Sequence, residues 1–103
     1  MAELELSFVR QPSVAPFPVA SLSNGRYCAK LTDISAYVKQ WSGGRHLYVE
    51  GSYVAHWLER IGIACREGSV EYYDNEQGTF FVEWEPNGQA FRPIAYKQAW
   101  TQA

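Results

Sequence analysis

Leu4, Leu6 and Phe8 alternate with Glu3, Glu5 and Ser7, the period of a half-buried strand running from Glu3 to Arg10. Residues 11–25 then carry no charge, and Pro12, Pro16 and Pro18 argue against a regular helix or a central strand there. This reads as an extended arm, packed along the surface through Val14, Phe17, Val19 and Leu22. Tyr27 to Leu31 predicts a short strand. Thr32 or Asp33 then caps a helix with Ile34, Val38 and Trp41 on one stripe, which Gly43 and Gly44 end. Arg45 to Glu50 alternates again, with Leu47 and Val49 on one side and His46, Tyr48 and Glu50 on the other. Ser52 is the candidate N-cap of a second helix, in which Val54, Trp57, Leu58 and Ile61 recur at the spacing of a buried stripe. Gly62 stands where a C′ glycine belongs.

The stretch from Ser69 to Trp84 predicts a β-hairpin. Val70, Tyr72, Phe80, Val82 and Trp84 share its inward face, and Glu71, Tyr73, Phe81, Glu83 and Glu85 share its outward face. A five-residue loop from Asp74 to Gly78 sets Tyr73 opposite Thr79, Tyr72 opposite Phe80 and Val70 opposite Val82. Asn87-Gly88 is a strong two-residue turn signal, which places Trp84 opposite Phe91 and Glu83 opposite Arg92. Pro93 marks an ending, followed by a short helix or a tail anchored by Trp100. The order of elements predicts a small single α+β domain over residues 1–103. Its sheet is mainly antiparallel and ends in a three-stranded meander, with two helices packed on one face.

Composition narrows the function classes. A chain of 103 residues, 47% hydrophobic and 19% charged, is long enough to bury about two-thirds of its unfolded surface as one domain. The net charge is −2 and the nine basic residues are scattered singly, so nothing resembles a phosphate-tracking patch and nucleic acid is a poor partner. The amino-terminal stretch lacks a basic region followed by an apolar one, and no apolar run reaches membrane-spanning length. The expectation is therefore a cytoplasmic protein without a membrane segment, with Cys28 and Cys65 as free thiols in a reducing compartment.

Reactive constellations do not emerge. His46, His56, Cys28 and Cys65 are the residue types of a zinc site, but gaps of eighteen, ten and nine residues lack the close pairs that a turn or helix face makes converge. No metal or cofactor is expected. His56, with Glu59 and Arg60, has no identifiable nucleophile beside it, and no Gly-x-Ser-x-Gly occurs. Ser42-Gly43-Gly44-Arg45 follows a helix carboxyl end, where the dipole repels anions, so it reads as a helix stop. The order helix, strand, helix, hairpin is similar to part of a winged helix-turn-helix, with Ser52 to Ile61 as reading helix. That helix offers only Arg60 as a cation, however, and the wing tip carries Asp74 and Glu76.

The leading expectation is a protein-binding module, of inhibitor, immunity or adaptor type, with no catalytic residues. Glu71, Tyr73, Phe81, Glu83 and Glu85 would present rigid aromatic area inside an acidic rim to a basic partner protein. If the arm or the carboxyl-terminal segment covers Tyr73 and Phe81, they form a second small core instead. The alternative is a small-ligand binder or minor enzyme with an aromatic pocket of Tyr48, Tyr53, His56 and Trp57 between helices and sheet. An edge near Phe91 to Ile94 could pair with a copy of itself as a homo-oligomer, against which Pro93 acts.

Overall fold

A computed structural model describes residues 6–92. Its strands are β1 (Val9–Arg10), β2 (Pro18–Ser21), β3 (Tyr27–Lys30), β4 (Ile63–Cys65), β5 (Glu71–Asp74), β6 (Phe80–Trp84) and β7 (Pro86–Phe91); its helices are α1 (Leu31–Trp41) and α2 (Val54–Arg60). Five strands form one sheet in the order β1-β2-β3-β6-β5, and β4 pairs with β7 in a second, two-stranded sheet. Every pairing is antiparallel. The α+β class read from the sequence is the class observed.

One continuous apolar core joins the elements. Ile34 and Val38 of α1, Val54 and Leu58 of α2, Val82 and Trp84 of β6, and Ile61 and Ile63 lie in it, all at 2% exposure or less. The segment read as an arm belongs to it as well: Val14, Ala15, Phe17 and Val19 are buried, so the packing expected of residues 11–25 is present. That segment is not wholly irregular, though. β2 lies inside the sheet, between β1 and β3, and Pro18 is accommodated because it is the strand's first residue, where a missing N–H breaks no interior rung. A turn follows in which Gly25 takes φ +87° and the Arg26 amide donates to Asn24 Oδ1 at 3.0 Å.

The helices are close to expectation, with differences at their starts. α1 begins at Leu31, so Thr32 and Asp33 fall in its first turn; Lys30 holds the cap position without a side-chain hydrogen bond. Ser52 is not a cap either: Gly51–Tyr53 forms a single 3-10 turn that leads into α2. Gly62 takes φ +100° just past α2, as its C′ position requires. Residues 45–50 form no strand. No neighbouring strand pairs with them; the Val49 amide donates to the Ser35 hydroxyl on α1 at 2.8 Å, which buries Val49 and leaves Leu47 72% exposed.

The hairpin faces are as the alternation requires, but the register is two residues tighter. Glu71 opposes Glu83, Tyr72 opposes Val82, Tyr73 opposes Phe81 and Asp74 opposes Phe80. A slip of two keeps every side chain on its own face, whereas a slip of one would have inverted them all. Burial differs along the inward face. Val82 and Trp84 are dry, while Tyr72 and Phe80, near the hairpin tip, are each 41% exposed.

The three-stranded meander is not formed. β6 is flanked by β3 on one edge and β5 on the other, so neither edge is free for β7. The chain turns away at Pro86, and β7 pairs with β4 instead. Trp84 therefore opposes Tyr27 and Glu83 opposes Cys28, not Phe91 and Arg92. Ile63 opposes Phe91 and Cys65 opposes Pro86, a register with extra residues on β7; Asn87-Gly88 falls in that bulged stretch, with Gly88 at φ +69°. The amino-terminal residues of the strand expected from Glu3 and the helix or tail expected after Pro93 lie outside the described residues.

The unequal burial on one hairpin face sets unequal costs of truncation. Trp84→Ala should lower unfolding free energy in urea by about 3–5 kcal/mol, and Phe80→Ala by only about 1–2 kcal/mol. Equal losses would mean that Phe80 belongs to the core.

Candidate functional site

The outward face of β5 and β6 carries the residues expected to bind a partner. Register places Arg26, at the entrance to β3, beside Glu85, the next rung after Tyr27 opposite Trp84. Its guanidinium reaches three carboxylates: Glu71 at 3.2 Å, Glu85 at 3.3 Å and Glu83 at 3.9 Å. Arg66 makes a second contact to Glu85 at 3.3 Å. Arg26 and Glu83 are the inner members, with side chains 20% and 19% exposed, so this network is held closer than a solvated surface pair. The acidic rim is thus largely matched from within the chain.

The aromatic part of this face is also engaged. Phe81 stacks on Phe8 at 6.1 Å with ring planes 16° apart, and it touches Tyr73 at 5.7 Å. The Lys30 ammonium sits 5.2 Å from the Phe8 ring centre. The Tyr73 hydroxyl donates to Glu83 Oε2 at 2.6 Å and lies 3.7 Å from Cys28 Sγ. Burial, and then the carboxylate that holds the neutral phenol, push the Tyr73 hydroxyl's pKa far above its usual value. Cys28 and Ala20 are fully buried beneath this layer yet outside the main core. The covering is partial and comes from Phe8, which precedes the arm of residues 11–25: Tyr73 stays 37% exposed.

Two open clefts formed by described residues bear on the alternative pocket. The first, of about 850 Å³, is lined by His56, Glu59, Cys65, Arg66, Val70 and Arg92, among others. Burial pushes the Cys65 thiol up to about 12, with Glu59 adding to the shift, so it is protonated and a poor nucleophile near neutrality. The second, of about 900 Å³, lies between α1, residues 47–51 and the hairpin tip. Leu47, Tyr48, Tyr72 and Phe80 give it an exposed apolar lining, in which Tyr72 and Phe80 stack at 5.4 Å with planes 9° apart. Gly51 approaches the Tyr72 ring so closely that a Cβ there would stand 2.3 Å from it. Lys39 and Glu50 border this groove, and the Tyr48 hydroxyl donates to Glu50 at 3.5 Å.

Neither of these two clefts gathers the four residues of the alternative pocket. Tyr48 lines the second cleft and His56 the first, Tyr53 is 57% exposed, and Trp57 packs edge-on against Trp41 and His46. Among the described residues no group of three or more His, Cys, Asp or Glu side chains could hold a metal ion. Both cysteines are free thiols.

The groove was not anticipated, since Tyr72 and Phe80 read as core and Leu47 as the buried side of a strand. Arg26 also escaped the sequence reading, although Asn24-Gly25 just before it is a hairpin signal that brings β2 and β3 together.

Arg26→Gln should cost about 1–2 kcal/mol in urea at low ionic strength, because it leaves three carboxylates facing one another, and less at high salt. Cys65 should resist iodoacetamide near neutrality until the protein unfolds, as followed by mass spectrometry. Its raised folded pKa also fixes a sign: the thiol's contribution is complete below the unfolded value of 9.0 and is lost as pH climbs from there towards about 12. Melting temperature should therefore fall above pH 9.0, less steeply in Cys65→Ala. Comparison with family models, curated proteins and solved structures yields no match, so the functional reading rests on these surfaces alone.

Proposed function

We propose that this chain is a small cytoplasmic protein-binding module that acts by contact and not by catalysis, with the groove between α1, residues 47–51 and the β5-β6 tip as its contact surface. The observation that carries this reading is the concentration of exposed large side chains there. Leu47, Tyr48, Tyr72 and Phe80 stand 72%, 65%, 41% and 41% exposed beside one cleft. Contiguous apolar area of that kind is uncommon on a surface with no partner, and tyrosine combines rigid contact area with a polar tip.

The outward face is the weaker contact surface, because Arg26 and Arg66 already answer its glutamates and Phe8 already stacks on Phe81. A partner there would have to displace interactions that the folded chain satisfies by itself. The protonated Cys65 favours contact over nucleophilic chemistry in the other cleft. Among the described residues no helix is long and apolar enough to cross a membrane, in keeping with a partner met in solution.

Leu47→Asp and Tyr48→Ala remove exposed groups and should leave melting temperature unchanged. In affinity capture from native lysate, both should lose a stoichiometric protein that the unaltered chain retains, whereas Tyr73→Ala should retain it. Loss with Tyr73→Ala alone would return the contact surface to the outward face.

A further inference from the structure

The strand beside the groove is itself incomplete. β5 is the last strand of the five-stranded sheet, and all four of its residues are exposed. The Asn75 amide donates to the Thr79 carbonyl at 2.9 Å, which makes Asn75 and Thr79 a bonded rung. Rungs of an antiparallel ladder alternate, so Tyr73-Phe81 and Glu71-Glu83 are the bonded rungs that follow. The amides and carbonyls of Tyr72 and Asp74 therefore point away from β6, towards the free edge. Among the described residues no backbone group answers them.

The side chains along this edge select what can be added. Glu71 and Asp74 end the strand, Glu76 follows in the loop, and β5 has no cation of its own. A second copy fits badly: its β5 brings another Glu71 and Asp74 and no cation, so antiparallel self-pairing gathers like charge along the edge without neutralising any of it. An incoming strand with lysine or arginine opposite those carboxylates reverses the sign. Because side chains alternate, one of its faces lies beside Tyr72 and Asp74 at the border of the groove, and the other meets Tyr73 and Glu71, whose side chain is 61% exposed despite its contact with Arg26.

We infer that β5 accepts an extended segment of another protein as an added strand, with apolar side chains over the groove and lysine or arginine towards Glu71 and Asp74. This rests on the protein-binding reading and names its mode: backbone hydrogen bonds supply affinity, and the groove and the carboxylates supply selectivity.

A displayed library of random peptides, selected against the purified chain, tests it. Selected peptides should carry lysine or arginine at two positions three residues apart, opposite Glu71 and Asp74, with an apolar residue opposite Tyr72 between them. Bound as synthetic peptides, they should slow amide exchange at Tyr72 and Asp74 at least tenfold, leave the already bonded Tyr73 amide unchanged, and bind Glu71→Lys/Asp74→Lys roughly tenfold more weakly. Should that double variant fail to fold, Glu71→Gln/Asp74→Asn replaces it, with a smaller loss expected. Peptides with apolar residues at spacings of three and four, peptides that leave the Tyr72 and Asp74 amides unprotected, or peptides indifferent to the charge changes would overturn the added-strand inference and leave the groove reading standing. Recovery of no binding peptide would count against both.

Discussion

Strand β6 is paired on both edges, with β3 fifty-odd positions earlier in the chain and with β5 just before it, and this double pairing organises the rest. Its inward residues Val82 and Trp84 have no exposed surface and meet α1 and α2 in one core, so β6 can neither slip by one residue nor exchange a neighbour without wetting both. β7 is consequently expelled to β4. Its pairing there ties the carboxyl end of α2 into the fold, where the Arg92 amide donates to the Gly62 carbonyl at 2.5 Å.

The same strand divides the surface into two unlike regions. Outward from β6, Glu83 and Phe81 are each met by a group from far away in sequence, Arg26 for the carboxylate and Phe8 for the ring. Towards the hairpin tip on the inward side, the sheet extends past what α1 covers, and Tyr72 and Phe80 emerge as an exposed stack. Satisfied charge thus lies on one face and unsatisfied apolar area on the other. The proposed contact surface rests on that contrast, which extends to the backbone, since the unpaired edge of β5 borders the same groove.

Much of this was legible in local pattern. The stripe of Ile34, Val38 and Trp41 and that of Val54, Leu58 and Ile61 announced both helices, and Gly62 marked the end of α2. The alternation from Val70 to Trp84 assigned each hairpin residue to its correct face even though the register moved by two. The candidate site was far less legible. An exposed Tyr72 and a buried Val82 occupy equivalent positions in the alternation, and nothing local tells how far along a strand the covering helix reaches. Asn87-Gly88 carried the chemistry of a turn, yet a turn there needs an open edge on β6, and β3 had taken it.

By itself, then, the order of apolar and polar residues determined which segments are helical, which hairpin face is dry, and that the chain is α+β, because these follow from periods of 3.6 and 2 that a few neighbouring residues enforce. Only the tertiary structure decided that residues 18–21 enter the sheet, that Arg26 closes over three glutamates, and that Leu47, Tyr48, Tyr72 and Phe80 face one open groove. Those outcomes depend on pairings between distant segments, whose energies compete with the local signals and are written at no single place along the chain.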